Sequence, residues 1–199
     1  MEKLDLLVWD AAAVAAAASL DVPGLRSLTV STAAGLEKPT LLMGRGQELA
    51  GLVELWVDSV DVWRDVVAHV PSDAYLVTSS QPQARSEVSG LLTHLSWFPK
   101  PERLTEQEFF HGWHDVHTPT TGALHPLRQG YTRDAVARTL TPGSPPVRGI
   151  VSEYFVVEDY LDPARLFGSR EALNASVEEL PLYADYADVS TCPVFAQES

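Results

Sequence analysis

Three histidines recur at three-residue spacing within one stretch, His111, His114 and His117. Imidazole takes up and returns a proton near neutral pH, which makes this side chain a natural general acid or base. The stretch opens on Thr105-Glu106-Gln107-Glu108, a capping box that predicts a helix running to about His117. With Phe109 as origin and about 100° per residue, Phe109, Trp113 and Val116 form the core-facing stripe. His117 falls on its edge beside Phe110, His114 lies further out, and His111 is nearly opposite. His117 is therefore the histidine expected to face a pocket. The competing reading is a ring that caps the helix end against its dipole. The three rings fan over roughly 120° of the wheel, too far to converge on one ion. A two-ligand metal site would need carboxylates from elsewhere; a solvated polar face is the expectation, and no metal site.

Other residues could join such chemistry. Alternation along Gly90–Phe98 puts Leu92, His94, Ser96 and Phe98 on one face and Leu91, Thr93, Leu95 and Trp97 on the other. The more polar set is expected to look into the space between two sheets. Glu153, on a later strand with Val151 and Phe155, could share that space and form an acid/base dyad with His94, or a satisfied structural pair. Tyr131 could donate to a carbonyl or phenolate, with Arg133 two residues on stabilising negative charge. A tyrosine packed at a sheet edge and an exposed arginine are the alternative. Trp97, Trp113 and Phe110 are candidate aromatic walls for a ligand, or core.

The elements that must hold these residues repeat. Leu4–Trp9 reads as a strand, Ala11–Leu20 as an alanine-rich helix capped by Asp10, and Leu25–Thr32 and Leu49–Val57 as strands. An amphipathic helix over Val60–Val70 and a strand over Ala74–Thr78 complete a β-α-β-β-α-β order. Ser79–Ser86, polar and carrying Pro82, reads as a linker. Strands follow over Gly90–Phe98, Leu127–Leu140 and Arg148–Val157, with the His helix after the first and a helical region from Asp162 to Leu180 after the third. An extended Tyr186–Ala196 closes the chain. The expectation is an α+β protein: two ferredoxin-like repeats, over residues 1–80 and 86–199, closing into an intramolecular α/β barrel. The third strands echo one another, Gly51-Leu52-Val53-Glu54 against Gly149-Ile150-Val151-Ser152-Glu153. Their glutamates match only with a one-residue slip, which would flip the face each one occupies.

Composition narrows the function. The 199 residues carry 14 Lys or Arg and 27 Asp or Glu, a net charge of −13. That acidity argues against nucleic-acid binding, which needs a basic face. A chain this long buries roughly 70% of its unfolded surface. The apolar run Ala11–Ala18 is too short to span a membrane and lacks the basic lead of a signal peptide. Cys192 is the only cysteine, so no intrachain disulfide or Cys-based zinc knuckle is possible, and a cytoplasmic location is expected. Gly44-Arg45-Gly46 lacks the third glycine of a dinucleotide loop, and no Gly-x-Ser-x-Gly elbow occurs.

The phrase Glu108-Phe109-x-x-x-Trp113-x-Asp115-x-His117-x-Pro119 resembles the signature of the EthD family in the dimeric α/β-barrel superfamily. Tyr131 opening a strand, Gly51–Asp58 and Asp185–Glu198 add to the resemblance, which covers about residues 88–198. The family's second strand usually carries a further histidine; this chain has Ala135 in that region. The resemblance implies a paired barrel with a pocket between sheet and helices, and a small-molecule substrate. It also implies chemistry of the lyase, polyketide cyclase or oxidoreductase kind. The expected reaction is cofactor-independent: His117 removes a proton next to an aromatic carbonyl, Tyr131 holds the oxyanion, and His114 or His94 donates. Dehydration, cyclisation or decarboxylation follows. A binding or assembly protein without chemistry is the alternative. A haem-holding oxidative member, liganded through His114 or His117, is a third. A homodimer is compatible with each.

Overall fold

The computed structural model describes residues 1–36, 43 and 48–197; Lys38-Pro39 and Gly44-Arg45-Gly46 lie outside them. Eight strands run through the chain: β1 (Glu2–Val8), β2 (Leu25–Ala33), β3 (Gly51–Val57), β4 (Asp73–Gln83), β5 (Leu92–Pro99), β6 (Gly130–Thr139), β7 (Val147–Phe155) and β8 (Ser190–Ala196). They close in the order β1-β3-β2-β8-β5-β7-β6-β4, every neighbouring pair antiparallel.

This corrects the expected architecture of two ferredoxin-like α/β repeats. The described residues form a single eight-stranded antiparallel β-barrel, with few and short helices lying outside it. Two seams make the difference. At one, β2 pairs with β8 through Ser31↔Ala196 and Ala33↔Val194. At the other, β4 does not stop at Thr78 but runs through the supposed linker to Gln83, pairing Ser80 with Arg133 and Gln83 with Tyr131. Pro82 sits where the register shifts between Ser80 and Gln83, a place where a missing amide costs no ladder bond.

The barrel interior is packed. Leu7, Leu52, Tyr75, Leu95, Trp97 and Ile150 fill most of it, and Trp97 meets Trp9 edge-on at 6.1 Å. The remainder is ionic: Lys3 Nζ reaches Glu54 Oε1 at 2.8 Å and Asp134 Oδ2 at 2.9 Å, with Asp5 Oδ1 at 3.4 Å. The space between the sheets is thus filled, and the His94 face of β5 looks outward, opposite to expectation.

Outside the barrel, α1 (Ala11–Ala17) and α2 (Trp63–His69) bury Val14 and Val66 against Leu4, Leu6, Val53 and Leu55. Asp10 caps α1 through Ala13 N–H, as its position predicts. The other helices cover β5–β7: α3 (Glu106–Phe110), a π-helical turn over His111–His117, and α4 (Thr118–Leu124). They are followed by α5 (Val157–Leu161), α6 (Pro163–Phe167), α7 (Arg170–Glu179) and a short 3-10 turn at Leu180–Leu182. No helix among the described residues is long and apolar enough to cross a membrane.

Candidate functional site

The Thr105–Glu108 capping box forms as expected, each side chain meeting the other's backbone amide. The helix does not end at His117. It widens into the π turn, where Thr118 N–H donates to Trp113 O five residues back, and continues through Pro119 as α4. A proline here lacks the N–H that the preceding turn would use. Arg133 Nη1 lies 3.5 Å from the His114 carbonyl and donates to Thr118 Oγ1 at 2.8 Å, bracing the widened turn. Such a turn advances less per residue than an α-helix, so the ideal wheel fails beyond Phe110.

Two glycines let other parts approach this turn. A Cβ on Gly112 would lie 2.2 Å from the Leu182 carbonyl oxygen, and one on Gly149 would lie 2.6 Å from the Phe98 ring and 2.9 Å from Trp113. The first permits the 3-10 turn to pack on the π turn, which sets Tyr183 beside His117. The second lets Trp113 settle on β7.

Between the outer face of β5–β7 and these helices lies a cavity of about 270 Å³. That is near the lower end of small-molecule sites, roughly 300 Å³ upward. Its inner wall presents His94, Glu153 and Tyr131, and its helical wall Trp113, His117 and Tyr183. Five of the nine expected site residues therefore meet in one cavity: His117, Tyr131, His94, Trp113 and Glu153.

The other four do not. Trp97 points into the barrel, because its parity along β5 is opposite to that of His94. Phe110 packs against Trp113 and beneath the Arg148 guanidinium. Arg133 is held by Thr118 and by Ser80 Oγ at 2.9 Å. The His114 ring lies between Phe110 and Trp113, with Nε2 buried and lacking a hydrogen-bond partner. Burial and the Arg133 charge lower its pKa to about 4. His111, in turn, is exposed beside Asp115, so the three histidines of the string meet three different surroundings.

His117 is the best-placed titratable group. Its Nδ1 lies 3.1 Å from Glu179 Oε2 and its Nε2 lies 3.4 Å from the Tyr183 hydroxyl. This pattern fits a tautomer with the proton on Nδ1, donated to the carboxylate, while Nε2 accepts from the phenol. Burial pulls its pKa below 6.5, and the Glu179 hydrogen bond and charge oppose that. Both phenols of the wall remain protonated. Burial raises Tyr183 well above its ordinary value, and burial with the Glu153 charge raises Tyr131 to about 12. By geometry neither the Tyr131 hydroxyl nor the Trp113 indole N–H makes a hydrogen bond among the described residues, although Trp113 and Thr118 lie near enough to the phenol to oppose the rise of its pKa. Both are donors on the cavity wall.

His94 and Glu153 are register partners across β5 and β7 but do not bond to one another. His94 Nδ1 meets Tyr160 Oη at 3.2 Å, and its Nε2 meets Ser96 Oγ at 3.3 Å. Burial lowers its pKa to about 4, against the pull of Glu153. Glu153 instead accepts from Arg128 Nη1 at 2.6 Å. Burial would push its carboxyl up, but His125, Arg128 and His94 outweigh that and hold it at about 2.

Sequence reasoning missed Glu179, Tyr183, His125 and Arg128. His125 was hidden because Pro119 reads as a helix stop, yet α4 carries the chain on to it. Among the described residues, one group has metal-ligand spacing: Asp5, Glu54 and Asp134 inside the barrel. Lys3 already sits on it.

No family model matches the chain, and no curated protein matches it. Among solved structures, the chain is similar to an anthrone oxidase-like protein. The two are 12% identical with a TM-score of 0.64, over 99% of this chain and 91% of that one. The likeness shows the shared fold.

Proposed function

We propose that the protein is an EthD-like enzyme that removes a proton from carbon next to an aromatic carbonyl or conjugated to it through the ring, as the methylene of anthrone is. The observation that carries this reading is His117 on the cavity wall, with Nδ1 on a carboxylate and Nε2 directed at the cavity beside protonated phenols. A base must be unprotonated at working pH, and the substrate C–H takes the place of the Tyr183 hydroxyl that lies 3.4 Å from Nε2. Burial keeps His117 below 6.5, so the neutral form prevails at pH 7.

The substrate ring lies between Trp113 and Tyr183, with its acidic C–H against His117 Nε2. As the proton moves to Nε2, negative charge develops on the carbonyl oxygen. The Tyr131 O–H, buried without a partner, donates to that oxygen, and a preorganised donor in a dry site stabilises such charge strongly. The protonated His117 then gives that proton to the hydroxyl that leaves as water in a dehydration, or, in a cyclisation where the enolate carbon attacks a second carbonyl carbon, to the alkoxide oxygen so formed. His94 and His114, both neutral at pH 7, are poor proton donors, and the proposal assigns them structural roles. The name of the structural neighbour points to the same kind of compound, since an anthrone is an enolisable aromatic ketone.

Haem fits these residues poorly: His114, one of the two candidate ligands, is packed between aromatic rings away from the cavity. The test is solvent deuterium exchange at the methylene carbon of anthrone. His117→Ala should slow the protein-catalysed rate by about a hundredfold or more, with an unchanged melting temperature. Equal rates in variant and parent would remove His117 from the chemistry. Saturable binding of anthrone with no exchange in the parent would favour a binding protein instead.

A further inference from the structure

The orienting carboxylate for His117 arrives on the least secured wall of the cavity. Helix α7 has no buried residue. Its inward side, Ala172, Ala175, Ser176 and Glu179, is half-buried, while Leu173 and Val177 stand exposed at the mouth. A ten-residue helix with no fully buried side chain draws little stability from packing and is marginal alone in water, so its local opening costs little compared with opening the barrel. The helical path breaks before α7 at Gly168, whose φ is +67°, and after α7 it tightens into the 3-10 turn Leu180–Leu182 and ends at Tyr183. Glu179 ties α7 across to the opposite wall: Oε2 accepts from His117 Nδ1 at 3.1 Å and from Thr120 Oγ1 at 3.0 Å.

We infer that Glu179 is a positioning residue carried on a movable cover. Helix α7 swings away to admit the aromatic ketone, and its return puts the carboxylate on His117 Nδ1, fixing the tautomer that leaves Nε2 basic. The base is then complete only when the cover has returned over the bound ketone, so that proton removal waits on binding. This inference rests on the proton-abstraction reading. The charged and titratable groups facing His117 are Glu179 and Tyr183 in contact, with Glu153 of β7 and His125 at the end of α4 further off. Glu179 is the one borne by the movable element.

Two measurements test it. In native-state hydrogen exchange, the amides of α7 should exchange at least about tenfold faster than those of β5 and β7, and slow when anthrone saturates the site. In the deuterium-exchange assay, Glu179→Gln should lower kcat by about tenfold or more while KM moves little. It should also shift the ascending limb of the pH profile to lower pH, because the anion that favours the imidazolium is gone. Thr120→Ala, which loosens the tie and removes a hydrogen bond to the His117 carbonyl but leaves its ring contacts in place, should speed α7 exchange and leave that limb in place. An α7 as protected as β7 in the free protein would overturn the cover, and an unshifted limb in Glu179→Gln would overturn the positioning role. Failure of the His117→Ala test would sink the parent reading, whereas the protection pattern of α7 is read without any turnover.

Discussion

Inside the barrel, Asp5 offers a test of how the ionic cluster is charged. Three carboxylates, Asp5, Glu54 and Asp134, surround one ammonium. Lys3 hydrogen-bonds to Glu54 and Asp134, while neither oxygen of Asp5 has a hydrogen bond. Burial, with the Asp134 charge beside it, raises the Asp5 pKa well above 3.8, and Lys3 only partly offsets this. The folded protein therefore keeps a proton on Asp5 at pH values where the unfolded chain has lost it. Stability tied to this group is greatest below about 3.8 and falls as pH rises toward the folded value, by up to about 1.4 kcal/mol per pH unit. Asp5→Asn is a neutral mimic of the protonated acid, and its amide can donate toward the unpartnered Asp134 Oδ1. The variant should match the parent near pH 4 and become more stable than it at higher pH. For a chain of this length each kcal/mol moves Tm by about 2–4 °C, so the gap should widen by about 3–5 °C per pH unit. Thermal melts from pH 4 to 8 on both proteins measure it. A variant that melts lower at every pH, or by a constant offset, would mean that Asp5 is ionised against Lys3 and that the charge assignment is wrong.

Gly149→Ala should destabilise by about 1–3 kcal/mol, because its Cβ would press on Phe98 and Trp113, both packed in the site; urea unfolding reads the loss, and an unchanged midpoint would contradict the packing. Arg128→Met leaves Glu153 buried without its permanent partner, at a cost of about 3–5 kcal/mol at pH 7. The parent's Glu153 is held at about 2, so the pair's stability is present above the ordinary carboxylate pKa and lost as pH falls through about 2; the deficit of the variant should shrink between pH 4 and pH 2. In the parent, kcat/KM for anthrone exchange should rise with pH through a value below 6.5 and then level, since neutral His117 is the active form. A profile that rises only above pH 8 would point to a phenol.

The strands and caps were legible in the residues because their signals are local: alternation along β5 and β7, Asp10 before the alanine run, and the Thr105–Glu108 box. The barrel closure was not. It depends on β4 extending through Ser79–Gln83, a polar segment with a proline whose pairing is decided by a partner strand fifty residues away. The His cluster was half legible. The 3.6-residue period put Trp113 on the core side and His117 at its edge, but the π turn re-aims everything after Phe110, and its cause is Pro119 acting together with Arg133 from another strand. Glu179 and Tyr183 were illegible because long-range contacts bring their segment to His117: Gly112 against the Leu182 carbonyl, Thr120 on Glu179 and Arg103 on the Pro181 carbonyl.

The one-residue slip between Glu54 and Glu153 explains why the two halves of the barrel differ in use. Gly51 and Gly149 both face outward, toward Val14 in one case and toward Phe98 and Trp113 in the other. Three residues on, Glu54 has inward parity and meets Lys3 inside the barrel; four residues on, Glu153 has outward parity and meets Arg128 in the cavity wall. The outer face of β3 is thereby left to Val53, Leu55 and Val57, which α1 and α2 seal completely. The outer face of β7 carries a charged, hydrogen-bonding residue that no apolar helix could cover without leaving it unpaired. The helices there stand off, held by Arg128, Thr121 and the widened turn, and the gap between them and the strand is the cavity. A polar residue shifted by one position in a strand thus decides which side of the barrel is core and which is site.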